Sequence, residues 1–447
     1  MQKPSERVFG KTGDPATRRP GEQIATAAAL GHPITRSPDS PARLAVLVAC
    51  ASVLQVAETL LPCPLPGIRL GLANLVTLVA LVELGPAGAF RLAVLRSLAS
   101  SFVLGTFLTP TFVLSFSGAL ASAGLMALLY RATASRFFPR LSLIGISIAG
   151  SVGHVLTQLA VVYLLFVRTD AVLLVWPLLV LSGVVMGTIT GFAAIQVCRK
   201  LEAASGRAAE WSSGPVRSAS ARPPEGKYLE RSSFFHRIGP ESKVVFVTLL
   251  ALAVVLFPDY RFYAGILVLL VGTALISRAG FRPLILNLRR LLVFLVFSFL
   301  APALFTPAGS TVFGLGPLRV TDVGLERGGI FAFRIVLLFF ATSLLSLTTS
   351  PDRLAAGLEN LLRPLRFLRI SPGRLAQTLT LSWSFFPVLW ERAQQMVRGR
   401  QKKGRAAVSS FLPDLVAGLY AEAERIADGR KESTANERAA SDAVHIR

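Results

Sequence analysis

The chain has 447 residues, of which 52% are hydrophobic and 16% are charged. A soluble globular protein carries about a quarter charged residues, so this composition excludes an ordinary soluble domain and predicts a polytopic membrane protein. The formal net charge of +22 is typical of nucleic-acid binding, but the basic residues lie between long apolar runs, as in cytoplasmic loops, and we expect no nucleic-acid partner.

Apolar runs of roughly membrane-spanning length follow one another along the chain. A helix needs about 20 residues to cross the hydrocarbon core of a bilayer. The runs are 43–61, 70–85, 87–108, 111–130, 141–167 and 171–197 in the first half, and 243–257, 261–277, 286–306 and 328–349 in the second. We therefore predict an all-α fold with about ten transmembrane helices in two bundles, followed by cytoplasmic amphipathic helices.

Lys and Arg residues indicate the orientation. The N-terminal tail is polar and basic, and it lacks the charged and apolar regions of a cleaved signal peptide. If this tail is cytoplasmic, the loop with Arg131, Arg136 and Arg140 also lies inside, whereas the outside loops are poor in basic residues. We expect a multi-pass protein of a bacterial plasma membrane, with its N-terminus and its amphipathic helices in the cytoplasm.

A polar segment separates the two halves. Residues 199–242 are rich in Ser, Arg, Pro and Gly and are predicted to form a flexible cytoplasmic linker. The expected organisation is an N-terminal tail (1–42), a six-helix membrane module (43–198), a linker (199–235), a second membrane module (236–349), cytoplasmic helices (350–430) and a polar tail (431–447).

Polar side chains within the first module indicate a buried site, because such groups in a membrane usually line a cavity or a bundle interior. One interpretation is an outward-facing substrate pocket with Glu58, Arg69 and Asn74 near its lid and His154 and Gln158 in its wall.

The other interpretation is hydrogen bonding between helices. We favour it for Ser147, Ser151 and Thr157, of which the two serines share a helix face with His154. Arg96, in the third apolar run, is expected to extend its charge toward an interface or a loop.

Four segments of the first module occur in the order of a known family: PGIRLGLANLVTL (66–78), LAVLRSL (92–98), LTPTFVLSFSGAL (108–120) and SIAGSVGHVLTQL (147–159). They resemble the Gx transporter family, also labelled heptaprenyl diphosphate synthase component I. That family is similar to the substrate-binding S components of energy-coupling factor transporters. Val155 departs from the pattern, because the family usually has Asn after the His.

The S-component resemblance also implies a docking feature in the first helix. Ala45 and Ala49 form a small-x-x-x-small pair that would let the coupling subunit approach closely. The same spacing also arises by chance in Ala-rich helices.

Amphipathic helices are predicted after the last apolar run. Thr349-Ser350-Pro351-Asp352 is a favourable helix start, and further helices are expected over 371–400 and 410–427. A cytoplasmic platform and a basic helix lying on anionic lipid both fit this composition.

A second resemblance favours the platform. The segments HRIGPESK (236–243), TTSPDRLAAGLENLLRPLRFL (348–368) and LTLSWSFFPVLWERAQQMVRGRQKKG (379–404) resemble the T component of energy-coupling factor transporters. The resemblance implies that arginines at the ends of the coupling helices insert into grooves of two ABC-type ATPase subunits. Arg398 would carry the first motif, or Arg400 or Arg405 if the register slips.

The second motif would be carried by Arg430, although the order Ala427-Asp428-Gly429-Arg430 departs from the family's Ala-Arg-Gly. The family also normally ends with a further membrane helix, whereas residues 431–447 are polar.

Several kinds of chemistry lack their motifs. The sequence has no G-x-x-x-x-G-K-[ST] phosphate loop and no Asp-Asp-x-x-Asp cluster. Cys50, Cys63 and Cys198 have no metal-binding spacing. We expect no cofactor, no metal and no enzymatic activity in this chain, with ATP used by partner subunits.

Together, these features predict a membrane subunit of an energy-coupling factor importer that fuses an S-like and a T-like module. Its substrate would be a small molecule such as a vitamin, an isoprenoid precursor or a metal chelate. The alternative is a non-catalytic membrane subunit linked to isoprenoid diphosphate synthesis. An ATP-independent carrier ranks last, because carboxylates for a coupling-ion site are scarce in the apolar runs.

Overall fold

The computed structural model describes residues 41–60, 71–133, 141–167, 174–205, 239–277, 308–315, 318–363, 371–401, 412–423 and 425, with scattered positions between 292 and 306. Several predictions fall outside these residues: the N-terminal tail, most of the run 286–306 and the C-terminal tail. Arg69, Arg405 and Arg430 also lie outside the described residues.

Six helices form the first module, as the apolar runs predict. They are α1 (Pro41–Leu60), α2 (Leu72–Glu83), α3 (Gly85–Leu104), α4 (Pro110–Thr133), α5 (Leu143–Val161) and α6 (Trp176–Ser205). A π-helical turn, Val162–Val167, continues α5. The helix breaks have local causes. Leu84 lies between α2 and α3, and Gly85, with φ of 74°, redirects the chain at the first residue of α3. The Ser142 hydroxyl caps α5 by accepting a hydrogen bond from the Gly145 N–H.

The second module contains α7 (Pro240–Leu256), α8 (Tyr260–Ile276), α9 (Asp322–Thr348), α10 (Pro351–Leu362) and α11 (Pro372–Gln401). Residues 412–423 form a further helix, α12. Every predicted run except 286–306 therefore corresponds to a described helix.

Two local predictions need correction. Helix α6 continues to Ser205, so the linker does not begin at 199; residues 206–238 lie outside the description. In addition, an antiparallel hairpin of β1 (Thr311–Leu315) and β2 (Leu318–Thr321) precedes α9, where no strand was predicted. Its last residue, Thr321, caps α9 by accepting from the Gly324 N–H.

Five described helical segments are long and apolar enough to cross a membrane: Gly85–Leu104, Pro110–Thr133, Leu143–Leu165, Trp176–Leu201 and Asp322–Thr348. Helices α2 and α8 are also apolar but shorter. The prediction of an all-α polytopic membrane protein is confirmed, whereas the count of ten spans stays a prediction.

Helix α1 lies at the centre of the packing. It contacts α2 and α3 of its own module and also packs along α11 of the second module. The rings of Phe102 on α3 and Trp383 on α11 meet at 5.5 Å between centroids. Helix α10 packs on both α7 and α11. The two modules thus share one apolar core, in which α1 and α11 are neighbours.

Candidate functional site

A cavity with charged and polar side chains in its wall lies inside the first module, and all six helices of the module line it. Most of its lining side chains carry a polar or charged group. The lining residues are Gln55, Glu58, Gly71, Ala73, Asn74, Arg96, Ser115, Ser151, His154, Val155, Gln158, Ser182, Gly183 and Met186. Four of the predicted pocket residues, Glu58, Asn74, His154 and Gln158, therefore line one cavity.

Arg96 lies in this cavity wall, and the prediction that it extends toward an interface is wrong. Its side chain is 4% exposed. The guanidinium Nη1 donates to Gln55 Oε1 at 3.0 Å, and Nη2 donates to Asn74 Oδ1 at 3.1 Å. These acceptors on α1 and α2 draw the charge inward, because a cation inside an apolar helix bundle is stable only where polar groups receive it.

Glu58 links the end of α1 to the start of α2. Its Oε1 accepts a hydrogen bond from the Gly71 backbone N–H at 2.8 Å. Gly71 adopts the left-handed conformation, with φ of 71°, which favours glycine. The carboxylate thus faces the positive end of α2 while also lining the cavity.

His154 and Gln158 extend the wall along α5. The His154 ring lies directly against Gly118 of α4, and a Cβ added at Gly118 would lie 2.9 Å from its Cε1. Gln158 Nε2 donates to the Leu114 carbonyl oxygen of α4 at 3.4 Å. Both side chains are therefore positioned by α4.

One serine of α5 forms a hydrogen bond between helices, and the other lines the cavity. Ser147 bonds to Thr190 of α6, with 3.0 Å between the hydroxyl oxygens, which confirms interhelical bonding for this residue. Ser151 lines the cavity.

Glycines on α6 bring α5 close to it. A Cβ on Gly187 would lie 2.6 Å from Ile148 Cα, and one on Gly191 would lie 2.9 Å from Ile144 Cα. Gly183, one turn earlier, meets Val152 and lines the cavity. The G-x-x-x-G-x-x-x-G spacing in the sequence is the signal that could have predicted this contact.

Two polar contacts join the modules away from the α1–α11 contact. Arg334, buried within α9, donates from Nη1 to the Leu165 carbonyl oxygen at 3.3 Å and from Nε to the Tyr263 hydroxyl at 3.2 Å. Leu165 belongs to the π-helical turn. Near the other end of the module, Lys200 of α6 pairs with Asp414 of α12. For Arg334, as for Arg96, the position of an arginine within an apolar run is the sequence feature that could have predicted a buried polar contact.

The predicted docking residues are buried near the contact between the two modules, whereas the predicted coupling residues that the structure describes lie at the end of α11. Ala45 and Ala49 are buried on α1, the helix that packs on α11. Arg398 is exposed in the last turn of α11, and Arg400 lies in the same turn.

Among the described residues, no three His, Cys, Asp or Glu side chains lie together as a metal site would require.

Two family models match separate parts of the chain. Residues 47–197 match heptaprenyl diphosphate synthase component I, and residues 231–410 match the cobalt transport protein family CbiQ. The first match ends within α6, and the second begins before the start of α7. The chain therefore joins an S-like module to a T component.

Curated relatives match the T component. The energy-coupling factor transporter transmembrane protein EcfT of Thermosediminibacter oceani is 30% identical over 211 residues, covering 45% of this chain and 79% of the relative. The protein of the same name from Listeria innocua is 31% identical, covering 43% and 73%. The one from Bacillus subtilis is 31% identical, covering 40% and 68%. The chain thus belongs to the EcfT family, the transmembrane proteins of energy-coupling factor transporters.

Proposed function

We propose that this chain binds a small molecule in its first module and couples uptake of that molecule to separate ATPases through its second module. The observation that carries the proposal is the double role of α1. This helix supplies Gln55 and Glu58 to the cavity and packs along α11 of the T component.

The double role supports a mechanical connection between ATP use and substrate release. Helices α10 and α11 pack on each other, and α11 packs on α1 and α3. A displacement of α11 by an ATPase would act directly on α1 and α3, which carry Gln55, Glu58 and Arg96. Because interiors are close-packed, such a displacement would also shift the cavity wall.

The ATPase contact is proposed at the exposed end of α11. Arg398 is exposed there, and a guanidinium can form paired hydrogen bonds to carboxylates or carbonyls at a subunit interface. We assign this end, with the N-terminal tail, to the cytoplasm, and we propose Arg400, Arg405 and Arg430 as further coupling residues. We further propose that the cavity opens outward in the resting state and that Arg69, which lies outside the described residues, contributes to substrate binding.

The test is affinity purification of the full chain from its native membranes in mild detergent, with mass spectrometry of every partner. We expect nucleotide-binding ATPases, in an amount strongly reduced by Arg398→Glu. Arg261→Glu is the matched control, because Arg261 is also exposed but lies at the start of α8, on the side assigned to the outside. Full ATPase recovery with Arg398→Glu would contradict the coupling assignment.

An isoprenoid-related subunit is the second candidate, supported by the name of the family that matches residues 47–197. It predicts that the same purification recovers a soluble protein with an Asp-Asp-x-x-Asp cluster and no ATPase. That result would replace the import proposal.

A further inference from the structure

We propose that the cavity binds a small carboxylic acid that also carries an amino or hydroxyl donor, and that Arg96 is the residue that binds the carboxylate. This inference rests on the proposed function and names the chemical class of its substrate.

The position of Arg96 is the first support. The residue lies in the middle of α3, a helix long and apolar enough to cross the membrane, yet it is buried and lines the cavity. A charged side chain at such a place is costly and typically serves a ligand or ion pathway. The planar guanidinium suits a carboxylate, which it binds through two parallel hydrogen bonds.

The surroundings of Arg96 are the second support. Uncharged amides of Gln55 and Asn74 accept from its two terminal nitrogens, and Asn74 Nδ2 in turn donates to Ser122 Oγ at 3.2 Å. Groups on α1, α2 and α4 thus contribute to the orientation of the guanidinium. A positioned cation of this kind is pre-organised for an anionic group of a ligand.

The rest of the wall limits the ligand further. Besides Arg96, the wall carries a carboxylate, that of Glu58. Glu58 in the same wall repels a multiply charged diphosphate and instead suits a ligand amino or hydroxyl donor. The set therefore favours a dipolar acid over an isoprenoid diphosphate.

The charge preference of the cavity can be measured without knowing the natural substrate. Ser182 lines the cavity, so Ser182→Cys places a thiol there, in a full-length chain whose Cys50, Cys63 and Cys198 are replaced by Ala. The probes are an anionic sulfonatoethyl and a cationic trimethylammonioethyl methanethiosulfonate. Their reaction rates are divided by those with 2-mercaptoethanol to give an anion-to-cation ratio.

We expect this ratio to exceed one and to fall about tenfold with Arg96→Gln, because the guanidinium and the new thiol line the same cavity. Arg96→Lys keeps the charge and should keep the preference. Arg261→Gln, which removes a positive charge from an exposed site, should leave the ratio within about twofold. If Arg96→Gln does not fold, the same anion-to-cation ratio is measured with Glu58→Gln. Removing the negative charge of Glu58 should raise this ratio.

Two results would overturn the inference: a ratio at or below one in the parent chain, and a ratio that Arg96→Gln leaves unchanged. Failure of both reagents to react would also overturn it, because the cavity would then admit no solute. These measurements need no ATPase. Their failure alongside successful ATPase recovery would reject the ligand class and leave the import proposal standing.

Discussion

At the scale of single residues, the position of His154 in the cavity depends on the absence of a side chain at Gly118. Gly118 leaves the space in which the imidazole lies against α4. In the same cavity, Arg96 keeps its place through Gln55 and Asn74, which lie 41 and 22 positions away in the sequence. The chemistry of each side chain is thus fixed by a neighbour on another helix.

Gly118→Ala is expected to displace the His154 ring into the cavity, because the new Cβ would meet the imidazole at 2.9 Å. The ring is the movable partner, and alanine favours a helix over glycine by about 0.5–1 kcal/mol, so the free energy of unfolding should change by less than about 1 kcal/mol. The measurement is the rate of diethyl pyrocarbonate modification of His154, which should rise. Gly124→Ala on the same helix is the control, since its Cβ would meet nothing within 4 Å; equal rates in the two variants would contradict the prediction.

At the scale of helices, the α5–α6 pair is held by backbone contact. Gly183, Gly187 and Gly191 recur at every fourth position of α6, and each faces a backbone Cα of α5. Without a hydrophobic driving force between helices in lipid, close packing of this kind supplies much of the association. Because His154 and Ser182 lie on this pair, the packing also sets the width of the cavity.

Gly187→Ala is expected to destabilise the chain by about 1–3 kcal/mol, as overpacking does, because its Cβ would lie 2.6 Å from the Cα of Ile148 and backbone cannot move aside cheaply. The measurement is unfolding by SDS titration in mixed micelles. Gly265→Ala on α8 is the matched control, because nothing lies within 4 Å of its new Cβ. A Gly187→Ala chain as stable as the control would show that α5 and α6 separate without cost.

At the scale of the whole molecule, two modules with separate family matches share one packed interface. Apolar contact between α1 or α3 and α11 dominates it, with the Phe102 and Trp383 rings in contact. The Lys200–Asp414 pair is half exposed, and exposed ion pairs contribute only about 0–1 kcal/mol. Association of the modules is therefore expected to depend on buried aromatic packing more than on charge.

This expectation can be checked on a chain with a protease site inserted between residues 206 and 238. After cleavage in detergent, the two halves should stay together. Trp383→Ala should separate them, because truncating a buried Trp costs about 3–5 kcal/mol, and Phe102→Ala, from the other module, should do the same. Lys200→Ala is the control that should leave the halves associated. Separation of the parent halves on cleavage would show that the linker alone joins them.

Local signals account for what was predictable. Apolar runs predicted nearly all the described membrane helices, since burial in lipid acts on each helix separately. Helices α6 and α9 extend beyond their predicted bounds. Proximity of Glu58, Asn74, His154 and Gln158 was also predictable, because intramembrane polar groups converge on shared interiors. The hairpin before α9 was missed because it is only two short strands beside a long helix.

By itself, the sequence determined that this chain is an all-α membrane protein made of an S-like and a T-like module, since hydropathy and motifs are properties of continuous segments. Only the tertiary structure decided that Arg96 turns into the cavity and that α1 joins the cavity to α11. The local sequence around Arg96 does not specify the direction in which its side chain points. Its direction depends on acceptors brought from α1 and α2, and such long-range contacts exist only after the helices have packed.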